Sequence, residues 1–301
     1  MKGKVVLLGT SSAVPTKERN NSSIFLKYKG EAFLFDCGEG TQRQIIKADL
    51  NMYRINHIFI SHLHSDHVLG LPGLIQTIDF LGEKEKINVH SVVGIKEKGE
   101  CLLKGSIYQP EMETVFHEYE HSDEPFKIVE TDDYTVKGIS LNHTVECFGF
   151  SFEEKEKVVF DKRKIAELSL SKEDFVSFRE KGFTERNGKK IYLQEVSRKQ
   201  KGFKFTYIPD TYKTENILKI SKESDILVIE CTYLDEEEKA RKYKHLTLEY
   251  ILEIHPLLKC KKIILTHFSR RYSSMDVFKR KIKEKGIENI FIGKDFMGFE
   301  F

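Results

Sequence analysis

Three histidines and an aspartate, His62, His64, Asp66 and His67, fall within six consecutive residues in the stretch SHLHSDHVLG. Neutral imidazole and carboxylate are good donors to zinc and related divalent ions, and a site that uses no cysteine must gather several of them. His62 and His64 stand two apart, so an extended backbone carries both imidazoles to one side. Asp66 and His67 follow in a turn and face a second position. Such a double set suits two ions roughly 3.5 to 4 Å apart, an arrangement that clamps the attacking and leaving oxygens of a phosphoryl transfer. A lone His-x-His would read as a polar strand end; four donors at this spacing, directly after the apolar run INHIFI, read as a metal site.

The elements that must hold these residues are short apolar runs separated by turn signals. KVVLLG, SIFLKYKG and EAFLFDCGEG read as strands around the polar loop TSSAVPTKERNNS. TQRQIIKADL has helical spacing, and VLGLPGLIQTIDFLG predicts one buried helix with Pro72 near its start, where a missing amide donor costs little. Further strands and one helix are expected up to residue 150. From about Glu153 to Lys204 the chain turns to dense alternating charge around a helix in KEDFVSFREKG, which predicts a protruding arm, 153–204, inserted in a single domain spanning 1–301. Strands and helices resume from FKFTYIPD to IFIGKD. Several apolar strands end in a metal-capable side chain: ISLNH at His143, FKFTYIPD at Asp210 and KIILTH at His267, besides the cluster itself. Taken singly, the two histidines would be ordinary strand-end residues and the aspartate a turn residue.

The 301 residues, 40% hydrophobic and 32% charged, suffice for one large domain or two small ones. Lys and Arg number 49 against 47 Asp and Glu, so a polyanionic partner must be argued from local clustering. Five scattered cysteines without a Cys-x-x-Cys pair suit reduced thiols in a cytoplasm. MKGKVVLLGTSS has too short an apolar run for a signal-peptide core, and nowhere do about 18 apolar residues run together. The expectation is a soluble cytoplasmic protein with no membrane partner.

His-x-His-x-Asp-His is similar to the signature of the metallo-β-lactamase superfamily, an α/β fold built as an αββα sandwich with one or two metals at its strand ends. Within it the chain resembles the tRNase Z family of tRNA 3′-processing endoribonucleases, over nearly its whole length and with the motifs in the family's order. LGTSSAVPTKERNNSS resembles the N-terminal loop with its Pro-x-Lys-x-Arg pattern, and LFDCGEGTQRQI a segment typical of this family; LNHTVECFGF, YIPDTY, KHLTLEY and LTHFSRRY follow. The resemblance implies that His62, His64 and His143 hold one metal, Asp66, His67 and His267 the other, and that Asp210 bridges. Two divalent ions per subunit are expected, zinc foremost, with manganese or iron accepted by the same donors. Asp66 resembles the family's proton acceptor, and His245 matches a motif that assists the leaving 3′ oxygen. Lys17 and Arg19 of the N-terminal loop, and Ser269 and Arg270 directly after a ligand, are the substrate contacts, Arg270 ahead of Arg271.

An RNA substrate needs phosphate contacts spread over a surface. The stretch RNGKKIYLQEVSRKQKGFK offers Arg186, Lys189, Lys190, Arg198, Lys199, Lys201 and Lys204 against the single acid Glu195, whereas the basic run from Lys279 to Lys285 reads as a solvated helix face. One departure stands out. Many family members carry a Gly-Pro-rich arm tip, but AELSLSKEDFVSFREKGF has no proline and one glycine, so the arm either does not dock tRNA or uses other contacts. The expected activity is zinc-dependent removal of the 3′ trailer from precursor tRNA by a homodimer. The alternatives are a small-substrate phosphodiesterase or other hydrolase of the superfamily, against which the family-specific segments argue. A non-catalytic RNA-binding protein is the other, and it would be expected to have lost some of the ligands.

Overall fold

The computed structural model describes residues 3–301 apart from Glu83, Gln109 and Asn187. Near-continuous apolar runs, such as KVVLLG and EAFLF, build strands covered on both faces. β1 (Gly3–Gly9), β2 (Ser23–Tyr28) and β3 (Glu31–Phe35) are antiparallel neighbours; α1 (Thr41–Lys47) then leads to β4 (Ile55–Phe59), parallel to β3. After α2 (Ser65–Val68) and α3 (Leu71–Phe80), β5 (Lys86–Val92), α4 (Ile95–Leu103) and β6 (Glu113–Tyr119) continue the parallel pairing. β7 (Phe126–Glu130), β8 (Tyr134–Ser140) and β9 (Phe148–Glu154) open a second sheet.

Residues 131–134 and 153–203 form a compact unit of their own. It holds β10 (Lys157–Phe160), α5 (Lys162–Glu167), α6 (Lys172–Lys181), β11 (Phe183–Arg186), β12 (Lys189–Tyr192), α7 (Leu193–Val196) and β13 (Ser197–Gln200). Phe178, Ile191 and Val196 make its small core with Phe160, Leu170, Phe175 and Leu193 around them. Its short strands pair β10 with β13 and β11 with β12. They lack the apolar alternation that marks a half-buried strand, which is why charge patterning alone revealed only α6.

The main unit resumes with β14 (Lys204–Ile208), α8 (Asn216–Ser221), β15 (Ile226–Glu230), α9 (Glu237–Tyr243), α10 (Leu248–Leu258), β16 (Lys262–Thr266), α11 (Asp276–Glu284), β17 (Ile290–Ile292) and β18 (Gly298–Glu300). One sheet has the order β18, β1, β2, β3, β4, β5, β6, the other β17, β16, β15, β14, β9, β8, β7. The two-residue period decides what each face meets. Phe33 and Phe35 of β3 pack on Phe152 and Phe205 of the facing sheet, with ring centroids 5.4 and 5.3 Å apart. Ala32 and Leu34, at the alternate positions of the same strand, face α1 and α3 through Ile45, Leu71 and Ile75. Leu227, Ile229, Ile263 and Leu265 likewise meet Ile251, Ile254 and Phe278 of α10 and α11. The layers are therefore helix, sheet, sheet, helix: the expected αββα sandwich.

The single helix expected around VLGLPGLIQ is broken. α2 stops at Val68 and α3 starts at Leu71. Gly70 donates its N–H to Cys37 O at 2.8 Å, and a Cβ there would lie 2.1 Å from Gly38 O, so the chain is pinned between the two helices. Pro72 falls in the first turn of α3, as anticipated. All five cysteines are free thiols, four of them buried. Among the described residues no helix is long and apolar enough to cross a membrane.

Candidate metal centre

The sequence places each donor just past the end of a strand, and the topology brings those ends together. His62 and His64 follow β4, Asp66 and His67 form the first turn of α2, His143 follows β8, Asp210 follows β14 and His267 follows β16. β14, β15 and β16 are mutually parallel, so their C-terminal ends share one edge. The segment that resembles the family's most typical motif is the buttress of the α2 turn. Cys37 N–H donates to His67 O at 2.8 Å, and a Cβ on Gly38 would lie 2.4 Å from Asp66 O, so only glycine lets the two segments touch.

The seven donors separate into two sets. In the first, His62 Nε2 is 3.0 Å from His64 Nδ1, His64 Nδ1 is 3.3 Å from His143 Nε2, and both Nε2 atoms are 3.8 Å from Asp210 Oδ2. In the second, Asp66 Oδ2 is 3.4 Å from His67 Nε2 and 3.5 Å from His267 Nε2. Asp210 Oδ1 lies 3.4 and 3.0 Å from the same two nitrogens. A tetrahedron with ligands about 2.0–2.1 Å from its centre has edges of roughly 3.3 Å, so both sets are spaced as donors around an ion. Asp210 gives one oxygen to each. His67 Nε2, His267 Nε2 and Asp210 Oδ1 are buried without a hydrogen-bond partner, a costly state that a cation at this point would relieve. The residues present thus fit a pair of divalent ions.

The electrostatics agree. Burial lowers His62, His64 and His143, so these imidazoles stay neutral, as ligation requires. Burial would lower His67 too, but the carboxylates of Asp36, Asp210 and Asp66 outweigh it and hold that ring well above its ordinary value. Against burial, which would raise them, Asp66 and Asp210 are held well below the carboxylate range, Asp66 mainly by His67 and Asp210 mainly by His267. The field at the second set favours positive charge.

A further layer of buried groups, which sequence reasoning missed, orients the donors. Asp36 accepts from His67 Nδ1 at 2.6 Å, Tyr207 Oη at 2.8 Å, Ser61 N–H at 2.7 Å and Ser61 Oγ at 3.0 Å. Thr232 Oγ1 lies 2.8 Å from His267 Nδ1 and donates to Glu230 Oε2 at 2.7 Å. Glu230 Oε1 is 2.9 Å from His245 Nδ1. His143 Nδ1 donates to Lys244 O at 3.0 Å. Such carboxylate and carbonyl partners fix the tautomer and tilt of a ligating ring. The available signal was a single acid ending an otherwise apolar run, as in FLFD and LVIE.

A cavity of about 410 Å³ opens over the donors and is lined also by Ser12, Tyr233, Tyr243, His245, Ser269 and Arg271. Burial would lower His245, but Glu230 raises it to about 9. Of the four expected substrate contacts only Ser269 lines this cavity. Arg271 lines it in place of Arg270, with its guanidinium 4.9 Å over the Tyr233 ring and 3.2 Å from Glu236. Arg270 faces an adjoining recess with Arg19. Arg19 is a tie within the fold: it donates to Thr10 Oγ1 at 2.7 Å and Gly293 O at 2.8 Å and covers the Phe268 ring. Lys17 is exposed and lines neither cavity.

An αββα sandwich with seven donors converging at its strand ends defines a protein of the metallo-β-lactamase fold. The family model described as Anti-Pycsar protein Apyc1 matches residues 3–179, a span that ends before Asp210, His245 and His267. The Ribonuclease Z of Methanothermobacter thermautotrophicus is 37% identical over 277 residues, covering 91% of this chain and 89% of that one. The Ribonuclease Z of Protochlamydia amoebophila is 34% identical over 99% of this chain and 96% of its own. The solved structure of human tRNase Z, short form, superposes with a TM-score of 0.73 at 26% identity, covering 99% of this chain and 98% of that one. The chain belongs to the ribonuclease Z family.

Proposed function

We propose that this protein is an endoribonuclease that removes the 3′ trailer from precursor tRNA and leaves a 3′-hydroxyl on the tRNA. The observation that carries the reading is the complete seven-donor set in a chain similar over its length to Ribonuclease Z proteins. His62, His64 and His143 would hold one divalent ion and Asp66, His67 and His267 the other, with Asp210 between them; zinc suits these nitrogen and oxygen donors, and manganese and iron share them. Bound there, the pair supplies Lewis acidity, polarising the phosphate and bringing the pKa of water toward about 7. Asp66 stays ionised at any working pH, so it accepts a hydrogen bond from the attacking water and orients it. His245 is protonated at neutral pH with Nδ1 committed to Glu230, which leaves Nε2–H for the departing 3′ oxygen. Arg271 and Ser269 line the cavity over the donors and would meet the scissile phosphate there.

In the smaller unit, Arg198, Lys199 and Lys201 are exposed and suited to backbone phosphates. Arg186, expected in that role, is instead bonded to Asp174. We include a homodimer acting in the cytoplasm in the reading. The test is to incubate metal-analysed protein with end-labelled precursor tRNA and map the cut, beside a chromogenic phosphodiester. A single cut at the mature 3′ end, lost in Asp66→Ala, is expected; full metal-dependent trailer cleavage by Asp66→Ala would refute the mechanism. Preference for the chromogenic ester would refute the substrate, and a monomer in sedimentation the dimer.

A further inference from the structure

Beside the metal cavity, and sharing Ser269 with it, lies a recess of about 640 Å³, within the usual size of a small-molecule site. Of its two acids, Asp295 is bonded within the fold. Asp295 accepts from Thr10 Oγ1 at 2.7 Å, Asn20 N–H at 2.7 Å and Gln44 Nε2 at 3.0 Å, and both Asp295 and Glu18 act on the Arg19 charge. Two cations are not engaged. Arg270 and Lys294 are exposed, and among the described residues their side chains form no hydrogen bond or ion pair.

Next to Lys294 stands a strained aromatic. Met297 N–H donates to Lys294 O at 3.0 Å, closing a four-residue turn whose third residue is Phe296 at φ 68°. Glycine or asparagine is the usual occupant of such a position, and a bulky residue there is an outlier. Strain of this kind persists only where the surroundings over-determine it, and it gathers at ligand clamps. Here the three bonds to Asp295 and the 2.7 Å bond from Phe296 N–H to Leu7 O hold the turn. Phe296 is 43% exposed and, among the described residues, its ring packs on no other ring.

A half-exposed aromatic that lines one recess with two unengaged cations, next to the metal cavity, is the chemistry that receives a nucleobase with its phosphate. We infer that this recess is a subsite for one nucleotide of the single strand beside the scissile phosphate, with its base stacked on Phe296 and its phosphate held by Arg270 and Lys294. The inference rests on the reading of the chain as a tRNA-processing nuclease. Because every base has a π-face, the subsite grips without choosing sequence.

Phe296→Gly removes the ring and relieves the left-handed strain together, so its melting temperature should match the parent's, while Phe296→Tyr keeps the stack. With precursor tRNA the KM of Phe296→Gly should rise about 5- to 150-fold, the range of one lost base stack, and Phe296→Tyr should restore it. The rise should vanish on a substrate carrying an abasic ribose at one of the two positions flanking the cut; which position does so tells whether the strand 5′ or 3′ of the cut enters the recess. The chain has no tryptophan, so Phe296→Trp supplies a single tryptophan that can be excited apart from the tyrosines. With metal chelated, tetraadenylate should quench it and the abasic counterpart should not, and adding Arg270→Ala and Lys294→Ala should weaken the quenching at least 10-fold. This arm reads binding without cleavage, so a protein that fails to cut precursor tRNA but shows the quenching would lose the nuclease reading and keep the subsite. Equal KM values for parent and Phe296→Gly, a rise that persists on both abasic substrates, or no base-dependent quenching would overturn the inference.

Discussion

Lowering the pH from 6.5 to 4.5 should remove about 2 to 3 kcal/mol of folding stability through His90 alone. His57, His90 and His117 stand on the neighbouring strands β4, β5 and β6, where they extend the aromatic layer between the sheets. The His90 ring stacks 5.2 Å from His57 and 4.6 Å from His117. His57 Nδ1 is 2.9 Å from His90 Nε2, and His90 Nδ1 is 3.0 Å from the Tyr119 hydroxyl, a chain satisfied with both rings neutral. Burial first, and then the neighbouring imidazoles, push His90 down to about 2; burial, His117 and Lys84 push His57 down to about 4. The unfolded chain takes up protons near 6.5 and the folded chain does not, so the unfolded state binds more of them and stability rises with pH. The loss begins as pH falls through 6.5 and continues toward about 2 for His90, with a slope of one proton, about 1.4 kcal/mol per pH unit. Urea unfolding at pH 6.5, 5.5 and 4.5 on the parent and on His90→Gln isolates this slope, because the metal-site histidines contribute to both. The variant should be less stable at pH 6.5, having lost two hydrogen-bond partners, and its slope shallower by about one proton. Parallel slopes would mean that His90 accepts its proton in the folded state, and the reasoning would fail.

Three further outcomes follow from the site. Asp36→Asn cannot serve all its present donors, so metal affinity should fall about 10- to 100-fold in competition with a chromogenic chelator; unchanged affinity would remove Asp36 from the support of His67. Glu230→Gln withdraws the charge that raises His245 to about 9, so the alkaline limb of the kcat profile should move to lower pH; an unmoved limb would exclude His245 as the proton donor. Zinc at 100 times its Kd should add about 2.7 kcal/mol to stability, read as a rise in Tm over the chelated protein, and Asp210→Ala should abolish the gain.

The smaller unit illustrates where pattern reading thins out: α6 carries an apolar face that is visible in KEDFVSFREKG, while β10 to β13 have four residues each, too few to set a period, and pair only with one another. The split between α2 and α3 was equally hidden, because it depends on Gly70 meeting Gly38, distant in the chain, a contact no local period encodes. Arg270 and Arg271 are neighbours in sequence, and no spacing rule tells which one turns toward the donors; the packing of Arg271 on Tyr233 and Glu236 does.

By itself the sequence determined the chemistry available here. The cluster from His62 to His67 is local, so its donor types and spacing are properties of six residues, and strand periodicity sets which faces are buried. That His143, Asp210 and His267 join that cluster, with Asp210 between the two donor sets, was implied by the resemblance and by no local spacing; the tertiary structure brings these side chains together, and it alone shows that Asp36 and Glu230 stand behind the rings. These contacts join strand ends far apart in the chain. Their energy comes from burying polar groups against partners supplied by other strands, so they exist only once the two sheets have packed.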